Sequence, residues 1–245
     1  MISSTRWKLG LGVACTRSIP LKSWPTWAQL KLVVPTSGKR WIRRISVSAL
    51  SAHHFARVTS FSRCELSTTE LAAREPAASA LERGHVDRSD PQFLSAKAFP
   101  PVANVRRIAD GEAIELGPLA LTAHATPGHT GGSTSWSWTS CEAERCLHIV
   151  YADSLTPISD DAFRFSDEAA HPGVLAAFRQ SAETIAALPC DILVTPHPDA
   201  SALWDRLGNA PTQPLIDADA CQRYASRAAR SLDERVAKEK GTSAR

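Results

Sequence analysis

The stretch Thr126-Pro-Gly-His-Thr-Gly-Gly-Ser-Thr-Ser-Trp136, TPGHTGGSTSW, places one histidine between a Pro-Gly pair and a Gly-Gly-Ser run. Because proline fixes the backbone and glycine allows tight turns, this run predicts a well-defined loop directly after an apolar segment. Loops at strand ends are where a scaffold presents side chains for binding or catalysis. His129 is therefore a candidate metal ligand, which raises the question of where its partners lie.

A second histidine has a similar setting. His197 stands between two prolines in LVTPHPDAS, after the apolar segment Asp191 to Thr195. A single histidine in a globular protein is more often a surface residue or a hydrogen-bonded core residue. That interpretation suits the other histidines that follow residue 64: His85, His124, His148 and His171. The sequence context therefore makes His129 and His197 candidate metal ligands.

Composition indicates one globular domain. The chain has 245 residues with 43% hydrophobic content, enough for one substantial core. It contains no apolar run near 18 residues, so no membrane span is predicted. The net charge of +3 gives no reason to expect a nucleic-acid partner.

The charge is unevenly distributed, however. Residues 1–64 contain eleven Lys and Arg and no Asp or Glu, whereas residues 65–245 hold all 25 acidic residues. A basic arm for nucleic acid or anionic lipid would explain this, but four tryptophans in the segment argue against a solvated arm. A secretory signal beginning with Arg6 and Lys8 would account for only the first third of this acid-free segment. Translation in the wrong reading frame is the explanation that we favour.

Hydrophobic patterning beyond Cys64 predicts a layered α/β domain. Thr69 to Arg83 has helical spacing interrupted at Pro76, with Gly84 as a stop. Glu112 to Thr122 reads as two short strands around a Gly-Pro turn. Three more strands and two helices are predicted: strands at Ser135 to Trp138, Cys146 to Tyr151 and Asp191 to Thr195, and helices at Gly173 to Leu188 and Asp217 to Lys240.

Three separated segments occur in the order found in a known family. LTAHATPGHTGGSTSWSW, VYADSLTPISDDAFRF and CDILVTPHPDAS resemble successive motifs of the metallo-β-lactamases, specifically the third subclass, whose zinc ligands are only His and Asp. The resemblance covers about residues 77–240. It implies an αββα sandwich, two zinc ions between the sheets, and hydrolysis of a β-lactam amide.

The resemblance also implies roles for individual residues. His129 matches a ligand of the first zinc and His197 a ligand of the second, while no catalytic side chain is assigned. Zinc with an open position lowers the pKa of water, which supplies a nucleophile at neutral pH. Ser154 and Thr156, in ADSLT, match positions that line the substrate. Capping of their own loop is the alternative for both residues.

The most diagnostic motif of the family, H-x-H-x-D-H, is missing. Where it belongs the chain reads SAHHFAR over residues 51–57. Aligning His54 with the second histidine leaves Ala52, Ala56 and Arg57 at the other three ligand positions. We therefore expect residues 1–64 to be an anomalous segment and residues 65–245 to be the metallo-β-lactamase-like domain, with an incomplete first sheet. A catalytically inactive remnant is the alternative to an active hydrolase.

Cysteine usage predicts two disulfide bonds. Cys141 and Cys146 bracket the short polar loop CEAERC. Cys190 and Cys221 match a strand–helix bridge of the subclass. Disulfides and the resemblance together imply a periplasmic or secreted monomer, although reduced core cysteines would suit the cytosol.

The frameshift explanation makes a direct prediction. Resequencing the gene and translating all three frames upstream of Cys64 should recover H-x-H-x-D-H in another frame, because a shifted frame hides the ligands without deleting their codons. If no frame contains the motif, the explanation is wrong.

Overall fold

The computed structural model describes residues 32–33, 44–47, 69–207 and 210–243. The predicted boundary after residue 64 and the candidate ligand His54 lie outside these ranges. Nine strands are described: β1 Leu32–Val33, β2 Arg44–Val47, β3 Thr69–Ala73, β4 Arg106–Arg107, β5 Ala113–Leu116, β6 Leu119–Ala125, β7 Thr134–Glu142, β8 Arg145–Tyr151 and β9 Ile192–Val194. The helices are α1 Ala77–Arg83, α2 Val174–Ala187, α3 Leu203–Arg206 and α4 Ala220–Ser243, with a 3-10 turn at Pro198–Ser201.

The strands form two sheets that pack face to face. The first has the order β1-β2-β3-β4 and the second β5-β6-β7-β8-β9. Ala72 of β3 and Ile108 pack in one buried cluster with four strand residues of the second sheet: Ile114, Leu121, Ala123 and Trp136. The apolar faces of both sheets are therefore removed from water against each other.

Helices cover the outer faces of both sheets. Successive side chains of a strand point to opposite faces, so Leu71 and Ala73 pack with Leu81 of α1 on the other side of β3. Phe178 of α2 and Leu232 of α4 share the largest buried cluster with strand residues that include Val150 and Leu193. The layer order is helix, sheet, sheet, helix, which confirms the predicted α/β sandwich.

Most predicted elements are confirmed, and one is wrong. The two strands within Glu112 to Thr122 are β5 and β6, and the two long helices are α2 and α4. Thr69–Ala73 was expected to be helical because of its alanines, but it forms strand β3. Its burial between α1 and the second sheet outweighs intrinsic helix propensity. The helix begins only after Pro76 and ends at Gly84, which has the positive φ of 75° typical of a helix stop.

Both predicted disulfide bonds are present. Cys141 and Cys146 are directly opposite each other on β7 and β8 and close that hairpin. Cys190, just before β9, is bonded to Cys221 in the first turn of α4. The second bond ties the last strand to the C-terminal helix. Cys15 and Cys64 lie outside the described residues.

No helix in the described part of the chain is long and apolar enough to cross a membrane.

The side chain of Phe178, on α2, packs against the loop that carries His129. It is fully buried, and a Cβ added at Gly128 would approach its ring to 2.5 Å. Phe178→Ala should lower the free energy of unfolding by about 3–5 kcal/mol, because it leaves a cavity in the core. Leu94→Ala is the control, since Leu94 is 67% exposed and its loss should change stability by no more than about 0.5 kcal/mol. Urea denaturation measures both, and equal losses would contradict this packing.

Candidate functional site

Strand directions bring three loops to one edge of the second sheet. β6 is antiparallel to β7, β7 is antiparallel to β8, and β8 is parallel to β9. The C-terminal ends of β6, β8 and β9 therefore lie at the same edge. The loops that leave these ends carry His129, then Ser154 and Thr156, and finally His197. The topology thus places all four predicted site residues at one edge of the sheet.

His129 has a fixed ring orientation. Its side chain is buried, and its Nδ1 lies 2.8 Å from the carbonyl oxygen of Thr156. A carbonyl oxygen only accepts hydrogen bonds, so Nδ1 carries a proton, and the neutral form of the ring has its lone pair on Nε2. Metal-ligating histidines are typically oriented in this way by a hydrogen bond to the other ring nitrogen. The geometry suits His129 as an Nε2 ligand.

Gln92 is a site residue that the sequence analysis missed. Its side-chain amide nitrogen lies 3.3 Å from Nε2 of His129 and donates to the carbonyl oxygen of His129 at 3.3 Å. Asp90 holds the start of this loop by accepting the Gln92 amide at 2.9 Å, and burial raises the pKa of Asp90 to about 6. A glutamine in a polar loop carries no sequence signal for such a contact.

Ser154 and Thr156 contribute to the site in different ways. The Ser154 side chain is buried, and its hydroxyl accepts the Thr156 amide at 3.4 Å, as the loop-capping alternative requires. Thr156 is exposed and contacts His129 through its backbone carbonyl rather than through its hydroxyl. Loop capping is therefore shown for Ser154, and a substrate contact for either residue stays a prediction.

His197 lies at the same edge but in a more open position. It is exposed and precedes the 3-10 turn Pro198–Ser201. Its carbonyl oxygen accepts the Thr195 hydroxyl at 2.7 Å and the Ala200 amide at 2.9 Å. These bonds fix the backbone of His197 beside the end of β9.

The described residues alone do not fit a zinc ion. Catalytic zinc is held by about three protein ligands. Within residues 69–207 and 210–243 there is no group of three or more His, Cys, Asp or Glu side chains that could hold a metal. A metal ion bound by His129 or His197 would therefore need further ligands from elsewhere in the chain.

A buried carboxylate joins two of the loops. Asp153 is 2% exposed, and burial raises its pKa to about 7, although hydrogen bonds from Ser154, Ser133 and Thr134 favour the charged form. Its backbone amide also donates to the Ser135 hydroxyl at 3.0 Å. Asp153 thus connects the Ser154 loop to the end of the His129 loop.

Solved structures with the same fold identify the family. The chain is 44% identical to the Rm3 metallo-β-lactamase, with a TM-score of 0.67 over 70% of this chain and 65% of that one. It is 41% identical to MEM-A1, a subclass B3 metallo-β-lactamase from a soil metagenome library, with a TM-score of 0.68 over 72% of this chain and 68% of that one. The chain belongs to the metallo-β-lactamase family. No family sequence model matches it.

A third metallo-β-lactamase gives a similar result. MIM-1 from Novosphingobium pentaromativorans is 46% identical, with a TM-score of 0.66 over 71% of this chain and 62% of that one. The chain therefore spans slightly less than two thirds of the length of Rm3 and MIM-1. These identities confirm the resemblance that the three motifs indicated.

The buried carboxylate predicts a pH dependence of stability. Because the folded pKa of Asp153 is raised to about 7 from 3.8, the unfolded chain ionises first as the pH rises. The contribution of Asp153 to the free energy of unfolding is therefore most favourable below pH 4, and it is lost as the pH rises to about 7. Asp153→Asn removes this titration. The free energy of unfolding of the wild type, minus that of the variant, should fall between pH 4 and 7 by an amount on the order of a few kcal/mol. If the free energies of unfolding of the wild type and the variant change with pH in the same way, the prediction is wrong.

Proposed function

We propose that this chain carries part of a zinc-dependent site for hydrolysis of the β-lactam amide bond. The observation that supports this most strongly is the orientation of His129, whose Nδ1–H is bound to the Thr156 carbonyl in a chain of the metallo-β-lactamase family. That orientation has a clear use in a metal site, because it leaves Nε2 as the donor atom. The substrate class is a small-molecule β-lactam.

Each residue at the sheet edge has a proposed role. His129 would bind the first zinc and His197 the second, while Ser154 and Thr156 would line the substrate. Zinc held there would supply activated water and would stabilise the ring nitrogen that leaves. The chain's own residues orient the His129 ring. The Thr156 carbonyl accepts its Nδ1–H, and the side-chain amide of Gln92 contacts its Nε2.

A catalytically inactive remnant is the second candidate function. The described residues supply one ligand to each proposed zinc, and no three-ligand group exists among them. In the preceding part of the sequence, Ala52, Ala56 and Arg57 stand at the other three ligand positions of the motif when His54 is aligned with its second histidine. We therefore expect the chain as written to bind zinc weakly and to hydrolyse β-lactams poorly.

We also propose export to an oxidising compartment, either the periplasm or the exterior, as a monomer. Both disulfides in the described part of the chain support this, because such bonds persist mainly outside the reducing cytosol.

Zinc content and turnover of nitrocefin, a chromogenic β-lactam, test the proposed function. The chain as written should hold less than one tightly bound zinc and show little hydrolysis, because one ligand per ion is too few. The frame-corrected protein should hold two zinc ions and turn over nitrocefin. Full activity of the uncorrected chain would show that the metal centre lies elsewhere. An inactive corrected protein would favour the remnant.

Single variants of the corrected protein test the assignment of the two histidines. His129→Ala should abolish activity, because it removes a ligand of the first zinc. His197→Ala should chiefly lower the occupancy of the second zinc. His148→Ala is a matched control. This exposed histidine lies away from the site, with its Nδ1 3.1 Å from a carboxylate oxygen of Asp191. Metal analysis and initial rates distinguish the three, and an unaffected His129→Ala variant would refute the assignment.

A further inference from the structure

One tyrosine on the C-terminal helix binds the backbone on both sides of Ser154. The hydroxyl of Tyr224 donates to the carbonyl oxygen of Asp153 at 3.0 Å and accepts the amide of Leu155 at 3.0 Å. Tyr224 is 7% exposed, and burial raises the pKa of its hydroxyl. A single buried hydroxyl thus satisfies two backbone groups of the loop that follows β8.

We propose that Tyr224 is a positioning residue for the His129 ring, on which it acts through this loop. The residue after Leu155 is Thr156, whose carbonyl oxygen accepts the His129 Nδ1–H. Fixing the backbone of Asp153 and Leu155 therefore fixes the acceptor that orients the histidine ring. The inference rests on the proposed function, because it assigns Tyr224 a role toward the proposed ligand.

The base of this connection is rigid. Tyr224 lies about one helical turn after Cys221, which is disulfide-bonded to Cys190 just before β9. Both Tyr224 and Cys221 belong to the largest buried cluster, together with Leu155. The hydroxyl is therefore held in place by the core and by the disulfide. Its two hydrogen bonds fix the backbone of a loop that has no regular secondary structure.

Tyr224→Phe is the direct test, and Tyr151→Phe is the matched control. The described residues contain two tyrosines, both largely buried, and Tyr151 lies at the end of β8 just before the same loop. The readouts are nuclear magnetic resonance measurements on the full chain without metal. They are the ring-nitrogen shifts of His129, assigned with His129→Asn, and the amide exchange rate of Leu155.

In the wild type and in Tyr151→Phe, His129 should be a single tautomer with the proton on Nδ1. In Tyr224→Phe, the shifts should move toward the average of the two tautomers, and the Leu155 amide should exchange at least tenfold faster. Unchanged His129 shifts in a folded Tyr224→Phe protein would overturn the proposal, because a purely structural hydroxyl would not alter the tautomer.

Two provisions keep the test decisive. If circular dichroism shows that Tyr224→Phe does not fold, the wild type alone decides: a Leu155 amide that exchanges as fast as exposed loop amides overturns the proposal, and a protected one supports it. Neither readout requires zinc, so absence of zinc binding would refute the proposed function without affecting the positioning result.

Discussion

The hydrogen bond from His129 Nδ1 to the Thr156 carbonyl is the interaction on which the site depends. It joins two loops that leave different strands, and it determines which ring nitrogen is available as a donor atom. Without it, a buried histidine could present either nitrogen, and its ring would have no defined direction. β6 and β8 run in the same direction, so their C-terminal ends bring both loops to one edge of the second sheet, where the bond can form.

The loops are connected to the rest of the molecule by buried polar contacts. Thr126, at the start of the His129 loop, shares the Ser135 hydroxyl with the Asp153 amide. Tyr224 then links the Asp153 loop to α4 and its disulfide. Buried polar groups are costly unless they are satisfied, so these contacts fix one arrangement of the loops.

Sequence reasoning predicted much of this fold because its signals are local. Alternation around Gly117 predicted the hairpin of β5 and β6, and the apolar spacing of 173–188 predicted α2. It failed at Thr69–Ala73, where burial on both sides of a strand outweighs an alanine-rich composition. Gln92 and Tyr224 were also missed, since their contacts join residues that are 37 and about 70 positions apart. The Cys141–Cys146 disulfide was predictable from its short polar loop and Cys190–Cys221 from the family resemblance, whereas the metal-binding roles of the two histidines stay a prediction.

We propose that the fold prepares His129 to bind metal through Nε2, while the described residues supply too few ligands to hold that metal tightly. A crystal of the chain soaked in millimolar zinc, with data collected at the zinc absorption edge, tests this most directly. We expect an anomalous peak about 2.0–2.1 Å from Nε2 of His129, with the hydrogen bond from Nδ1 to the Thr156 carbonyl retained. Zinc bound only elsewhere, or a His129 ring turned so that Nδ1 faces the metal, would contradict it.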